Sequence, residues 1–441
     1  MSQTASGVCA GVPGGLCRRP PEPPGRGVAL RAKAALPAVL ALAGLACLRG
    51  GTEPRRALAA DVMEPVVLAP TAVAADGTLT IAAVFPTIGR YAASGLQSLQ
   101  GARLAVEERN RAGGVNGRRL RLLEYRTGSY FVDVQHAAAL AAKDGALAIV
   151  GANSSELSRA IAEVAEASGV PQISNVSTAG DLTWDPQTGR RRFVFRMCAS
   201  DEVMGRLLAD FAKDGLGARR VAVLYEVGRK YSQQLARTFR SRFEDTRAGR
   251  VLEEFFYLAL ETDFLPQLRR VREFDPDVVF LPGSFTDATL VAAQARTVGL
   301  DATFLGGDAW SSPLLFQRGA PPGPAYYVEL CPRSPEFEER YGRGEEADAP
   351  GCRAVLAYDA VEVIAAGLRT LGPLRAEALE SGRDETRRRL RDAIARTDLK
   401  ATTGRVRFDA HGDRIQGVAL QAVESTAEGL RVRPRGWLGE R

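Results

Sequence analysis

The sequence predicts an α/β protein made of two doubly wound, Rossmann-like lobes in tandem, and three observations carry that prediction. From Thr80 onward, short apolar runs alternate with helix-length stretches, the grammar of a parallel sheet covered by helices on both faces. The same alternation restarts after Phe193-Val194-Phe195-Arg196. The chain has 441 residues, more than one average domain needs and enough for two lobes with extras. A hydrophobic fraction of 45% and a charged fraction of 25% allow a sizeable core.

The elements justify this in order. Ile81-Ala82-Ala83-Val84-Phe85 is an uninterrupted apolar run, as buried parallel strands have. A helix over 95–111 places Leu99, Ala102 and Val106 on one face. Ala112-Gly113-Gly114 stops it, and Asn116-Gly117 turns the chain. Strand 119–124, helix 132–143, strand 146–150, helix 155–168 and strand Gln172-Ile173-Ser174 complete the first unit. In the second, helices over 201–213, 232–243, 264–274 and 287–298 feed strands over 220–225, 251–256, 277–281 and 303–306. Helices over 355–370 and 384–396 follow, the latter with Asp384 as N-cap. Residues 405–408 are expected to pair with 417–423 across the Ala410-His411-Gly412-Asp413 turn.

Charge and composition separate the N-terminal segment from the rest. The net charge of +6 arises within the first 60 residues, which hold Arg18, Arg19, Arg26, Arg31, Lys33, Arg49, Arg55 and Arg56 against Glu22 and Glu53. The remainder is balanced, so a nucleic-acid footprint loses its main support. Arg31 and Lys33 precede an uncharged Ala/Leu-rich run over 34–48, too short to span a bilayer and suited to the apolar part of an export signal. Gly44-Leu45-Ala46-Cys47 resembles a lipoprotein box with Gly44 where leucine is preferred, and Ala57-Leu58-Ala59 is a competing cleavage site. A lipid anchor at Cys47 and a free exported form both stay open. Residues 1–47 are thus read as leader and 48–77 as a tether. Beyond them stand Cys198, Cys331 and Cys352, none in metal-site spacing. Cys331 and Cys352 either pair in an oxidising compartment or stay as small core residues.

Chemistry is expected in the loops after strands. Gly151-Ala152-Asn153-Ser154-Ser155 joins a strand end to a helix start, where backbone N–H groups and the hydroxyls of Ser154 and Ser155 suit a carboxylate. Simple capping by either serine is the alternative. Ser174-Asn175-Val176-Ser177-Thr178-Ala179 is a second polar loop, from which Ser177 and Thr178 donate to the same group. Gly306-Gly307-Asp308 of the second lobe presents an acid suited to an ammonium. Tyr91 and Tyr231 are loop aromatics able to cover a ligand, and Phe285 and Trp310 follow strand ends where a side-chain pocket would form. The two histidines, His136 and His411, lie in no nucleophile or metal context, and no phosphate-loop or nucleophile-elbow motif occurs in the folded part. An enzyme is not expected, nor a metal or cofactor.

In order and spacing the chain resembles the type I periplasmic-binding-protein fold, in its leucine/isoleucine/valine-binding branch serving ABC importers. The carriers are Gly101-Ala102-Arg103-Leu104-Ala105-Val106, Ala112 to Gly117, Gly151 to Ser155, Gly169 to Ser174, Phe304 to Asp308 and Ala357-Tyr358-Asp359-Ala360. The resemblance implies that Ser155, Thr178 and the backbone of Val176 hold a ligand carboxylate, that Asp308 holds the ammonium, and that Tyr91 and Tyr231 flank it. It also implies three hinge crossovers near 196–200, 328–332 and 401–404. Lobe I is then 78–198 plus 329–402, and lobe II 199–328 plus 403–441. Asp308 stands where a longer glutamate is usual, and Ser284 where an aromatic is common, so an amide, urea or aromatic acid stays open as ligand beside an amino acid. The implied partner is an ABC permease of the inner membrane; a signalling receptor is the alternative.

Overall fold

A computed structural model describes residues 65–69, 77–245, 251–312, 314–342, 350–426 and 429–440. The leader with Cys47, and most of the tether, lie outside the described residues.

The first lobe is built on a six-stranded sheet. Its elements are β1 (Val67–Leu68), β2 (Leu79–Pro86), α1 (Ala92–Arg111), β3 (Leu120–Thr127), α2 (Phe131–Lys143), β4 (Ile149–Gly151), α3 (Ser155–Ser168) and β5 (Gln172–Ser174). A two-residue hairpin, β6 (Trp184–Asp185) with β7 (Gly189–Arg190), precedes β8 (Val194–Arg196). The order is β1-β3-β2-β4-β5-β8, parallel except for β1, which lies antiparallel to β3. β1 corrects the tether: Val66-Val67-Leu68 is an apolar run with a free sheet edge beside it, and Asp133 accepts from the Val66 amide at 2.9 Å. Strand β2 is buried on both faces because period-2 alternation feeds two cores. Ala82 and Val84 meet α2 and α3, while Ile81, Ala83 and Phe85 join the core around α1.

The second lobe repeats the plan. It comprises α4 (Asp201–Asp210), β9 (Arg220–Glu226), α5 (Lys230–Glu244), β10 (Val251–Tyr257), α6 (Leu265–Phe274), β11 (Val278–Leu281), α7 (Phe285–Val298), β12 (Thr303–Gly306) and β13 (Ala325–Glu329). The chain then runs through α8 (Pro335–Tyr341), α9 (Cys352–Thr370), α10 (Ala376–Leu379) and α11 (Arg383–Ala395) to β14 (Asp398–Ala401), β15 (Gly404–Arg407), β16 (Val418–Thr426) and β17 (Gly429–Leu438). The second sheet is ordered β10-β9-β11-β12-β13-β16-β17, parallel as far as β13 and antiparallel beyond. Helix α9, buried along most of its length, packs on α1 and returns the chain to the first lobe.

The expected hairpin of 405–408 with 417–423 is not formed. β15 pairs with β14, and β16 runs between β13 and β17. Asp359 of α9 explains the difference. Its carboxylate accepts from the amides of Thr402 and Thr403 at 3.0 and 2.9 Å and so fixes a tight β14–β15 turn. Phe408 then packs at a tilt against Phe195 of the first lobe, ring centroids 5.2 Å apart. The passage into the second sheet therefore falls after Phe408 rather than at 401–404. Cys331, just past β13, and Cys352, the first residue of α9, form a disulfide with Cα atoms 5.6 Å apart, and Cys198 is free and buried. Among the described residues no helix is long and apolar enough to cross a membrane.

Candidate ligand-binding site

In open α/β sheets, ligands bind beyond the carboxyl ends of the strands. Here β4 and β5 of the first sheet and β12 of the second end on one cleft of about 1610 Å³. That exceeds the roughly 300–1,000 Å³ of an enclosed small-molecule pocket and leaves room for the walls to approach.

The loop after β4 carries Ser154 and Ser155, and both line the cleft. Ser154 is the N-cap of α3, its hydroxyl 3.5 Å from the Leu157 amide. The Ser155 hydroxyl accepts from the Ala179 amide at 3.3 Å, which leaves its own proton to give to a guest. Val176 and Thr178 line the same wall from the loop after β5. Ser177 does not: it is buried, its hydroxyl 2.6 Å from that of Ser158, which also bonds Ala152 and Ser174. An extended loop sends successive side chains to opposite sides, so with Val176 and Thr178 outward Ser177 must point in. It braces the two loops against each other.

Across the cleft stands Asp308, one residue beyond the Gly306-Gly307 pair. Both glycines are sterically required. A Cβ on Gly306 would lie 2.1 Å from the Trp310 ring, and one on Gly307 2.3 Å from the Tyr231 hydroxyl. Tyr231 donates to the Asp308 carboxylate at 2.8 Å, fixing the acid's direction. Burial raises the Asp308 carboxyl above its ordinary range, and the Tyr231 bond and the charge of Arg353 oppose that rise. Tyr91, just before α1, lines the opposite wall with the Arg90 guanidinium 4.6 Å over its ring.

Phe285 and Trp310 lie elsewhere. Ser284 caps α7 in a reciprocal capping box with Asp287, which turns Phe285 into the first helical turn and against the second-lobe core. Trp310 is fully buried, edge-on to Phe316 with centroids 5.4 Å apart. Both anchor the wall from behind and present nothing to the cleft.

Two cleft residues escape sequence reasoning. Asp201, the first residue of α4, is 1% exposed and lines the cleft, with one carboxylate oxygen unpartnered. Its amide donates to the Thr178 carbonyl at 2.8 Å. Burial and the neighbouring Asp308 push its carboxyl up to about 8, against the Thr178 side-chain hydrogen bond. In sequence it looks like an ordinary first-turn acid after the Ser200 cap. Arg353, the second residue of α9, also lines the cleft. Protein on its flanks disfavours its charge, and Asp308 favours it. No local pattern marks it, because its place is set by the Cys331–Cys352 disulfide beside it and by Asn175, which donates to the Arg353 carbonyl at 3.0 Å.

The arrangement thus offers hydroxyls and amides on one wall and a directed carboxylate on the other. Known proteins share the fold and much of the sequence order. A family model described as periplasmic binding protein matches residues 78–427. The chain is 27% identical over 350 residues to the leucine-, isoleucine-, valine-, threonine-, and alanine-binding protein of Pseudomonas aeruginosa, covering 77% of this chain and 88% of that one. To the Leu/Ile/Val-binding protein BraC3 of Rhizobium johnstonii it is 27% identical over 339 residues, 75% and 90% of the two chains. The crystal structure of the leucine binding protein LivK from Thermotoga maritima matches with a TM-score of 0.66 at 28% identity, covering 82% of this chain and 99% of that one.

Proposed function

The chain belongs to the periplasmic binding protein family, and on that premise we propose that it is an extracytoplasmic receptor that captures an α-amino acid between its lobes for delivery to an ABC importer. Members of this family are solute-binding proteins, not enzymes. The single observation that carries the amino-acid reading is the opposition of Asp308, oriented by Tyr231, to Ser155 and Thr178 across one cleft. An α-amino acid has a negative and a positive group on adjacent atoms, and opposed walls of opposite character recognise that pair. Ser155, Thr178 and the Val176 amide take the carboxylate, with Ser154 capping the helix behind them. Asp308 takes the ammonium, and Tyr91 and Tyr231 close over the ligand. Names such as leucine-, isoleucine- and valine-binding among the relatives support the ligand class.

Closure of the two walls over the ligand makes the state an inner-membrane permease would recognise, since a ligand stabilises the form it contacts from both sides. Export by the N-terminal segment, with or without a lipid at Cys47, would place the receptor there. Calorimetry on the mature protein tests the ligand class. An α-amino acid is expected to bind, while its 2-oxo analogue, lacking the ammonium, and its amide, lacking the carboxylate, bind at least about 30-fold more weakly, as loss of a charge-assisted bond implies. Asp308→Ala should lose the discrimination against the 2-oxo analogue. Equal affinity for all three compounds would refute the reading.

A further inference from the structure

The proposed amino-acid site leaves the cation Arg353 unused. Asp308 is engaged by Tyr231 and, in that reading, by the ligand's ammonium. The α-carboxylate is satisfied by neutral donors on the loops after β4 and β5. Arg353 stands in the same cleft and has no ion pair among the described residues. Its side chain is exposed to the cleft, and its backbone is held in place. The disulfide fixes residue 352 to the end of β13, and Asn175, itself buried and bonded to Ser98 at 2.9 Å, holds the Arg353 carbonyl.

The lining next to Arg353 offers few apolar side chains to a guest. The aromatic residues expected to form an apolar side-chain pocket, Phe285 and Trp310, face the core instead. Of the apolar residues near Arg353, Leu330, Phe337 and Val355 are only 6%, 2% and 5% exposed, so they offer little apolar area. Gln97 adds a further hydrogen-bonding group. Closing this cleft over a branched aliphatic chain would strip water from Arg353 without supplying an anion, and an unpaired charge in a drying cleft is costly. A second carboxylate on the ligand removes that cost, because a guanidinium matches a carboxylate as a two-pronged pair.

We propose that the ligand is an α-amino acid bearing a second acidic group, and that Arg353 selects it by pairing with the side-chain carboxylate. This rests on the amino-acid reading of the cleft and narrows it. Three groups then meet three partners: α-carboxylate with the first-lobe hydroxyls and amides, ammonium with Asp308, distal carboxylate with Arg353.

The test is calorimetric titration of the mature protein and its Arg353→Met and Arg353→Lys variants with L-glutamate, L-aspartate and L-leucine. In the unmodified protein, glutamate or aspartate should bind about 100-fold or more tighter than leucine, the scale of a desolvated charge pair. Arg353→Met should erase that preference by weakening the acidic ligand. Arg353→Lys, which keeps the charge but not the fork, should retain part of it. A matching thermal melt for each variant separates this from misfolding. If leucine binds the unmodified protein more tightly than either acidic amino acid, the inference falls and the amino-acid reading stands. If none of the three binds, and no other amino acid does, both fall together.

Discussion

Asp201 is the residue whose chemistry departs furthest from its sequence context. Its carboxyl is buried beside Asp308 and Glu202, with the Arg196 guanidinium the nearby opposing charge, and it is pushed up to about 8 from an ordinary 3.8. A group whose native value is raised keeps its proton in the fold at pH values where the unfolded chain has lost it. Its contribution to stability therefore declines as pH rises from about 4 to about 8 and is flat above that. In the ligand-free protein, the melting temperature of Asp201→Asn minus that of the unmodified chain should grow with pH across this window. A difference that stays constant from pH 4 to 8 would contradict the burial argument. Nothing in Ser200-Asp201-Glu202 announces this, because the burial is made by the fold and the charge of Asp308 that adds to it is distant in sequence.

At the scale of elements, the start of α7 shows what a cap contributes. Ser284 accepts from the Asp287 amide at 3.2 Å, and Asp287 accepts from the Ser284 amide at 2.8 Å and from Tyr257 at 3.1 Å. Ser284→Ala should lower unfolding stability by about 1 kcal/mol in denaturant titration, the usual worth of an N-cap. It should leave ligand affinity unchanged, since Ser284 does not reach the cleft. A change in affinity with no loss of stability would reverse the assignment. The apolar runs and helix faces of both lobes were legible from periodicity alone, and α3 spans Ser155–Ser168 as its pattern predicts. The edges were not. β17 carries Arg431, Arg433, Pro434 and Arg435 and has no apolar run to mark it, yet an edge strand tolerates charges and proline that a central strand refuses. β15 found a different partner because Asp359, four dozen residues earlier, holds its turn, and no local pattern encodes that.

At the scale of the molecule, the two lobes are tied where the chain passes between them. Arg196, fully buried at the end of β8, pairs with Asp413 at 2.7 Å and donates to the Ala179 carbonyl at 2.7 Å. Beside it, Arg414 donates to Thr403 at 2.8 Å. Asp413→Ala would leave a buried guanidinium without its counter-charge, and a loss of about 3–5 kcal/mol in unfolding stability is expected. A loss below about 1 kcal/mol would mean that the pair is only decorative. This same clasp sets the frame in which the loops after β4, β5 and β12 face each other. Sequence reasoning could place Ser155, Thr178, Tyr91, Tyr231 and Asp308 on the cleft wall because each lies in or beside a loop at an element end. It could not orient Ser177, Phe285 or Trp310, whose directions depend on packing against Ser158, the α7 cap and Phe316.

The central claim is that one cleft grips the two charged groups of an amino acid from opposite lobes. A crystal structure of the mature protein with a bound amino acid tests it most directly. The account predicts the α-carboxylate within hydrogen-bonding distance of the Ser155 and Thr178 hydroxyls and the ammonium within the same distance of the Asp308 carboxylate. A ligand held by one lobe alone, or one with Asp308 turned away from its nitrogen, would contradict it.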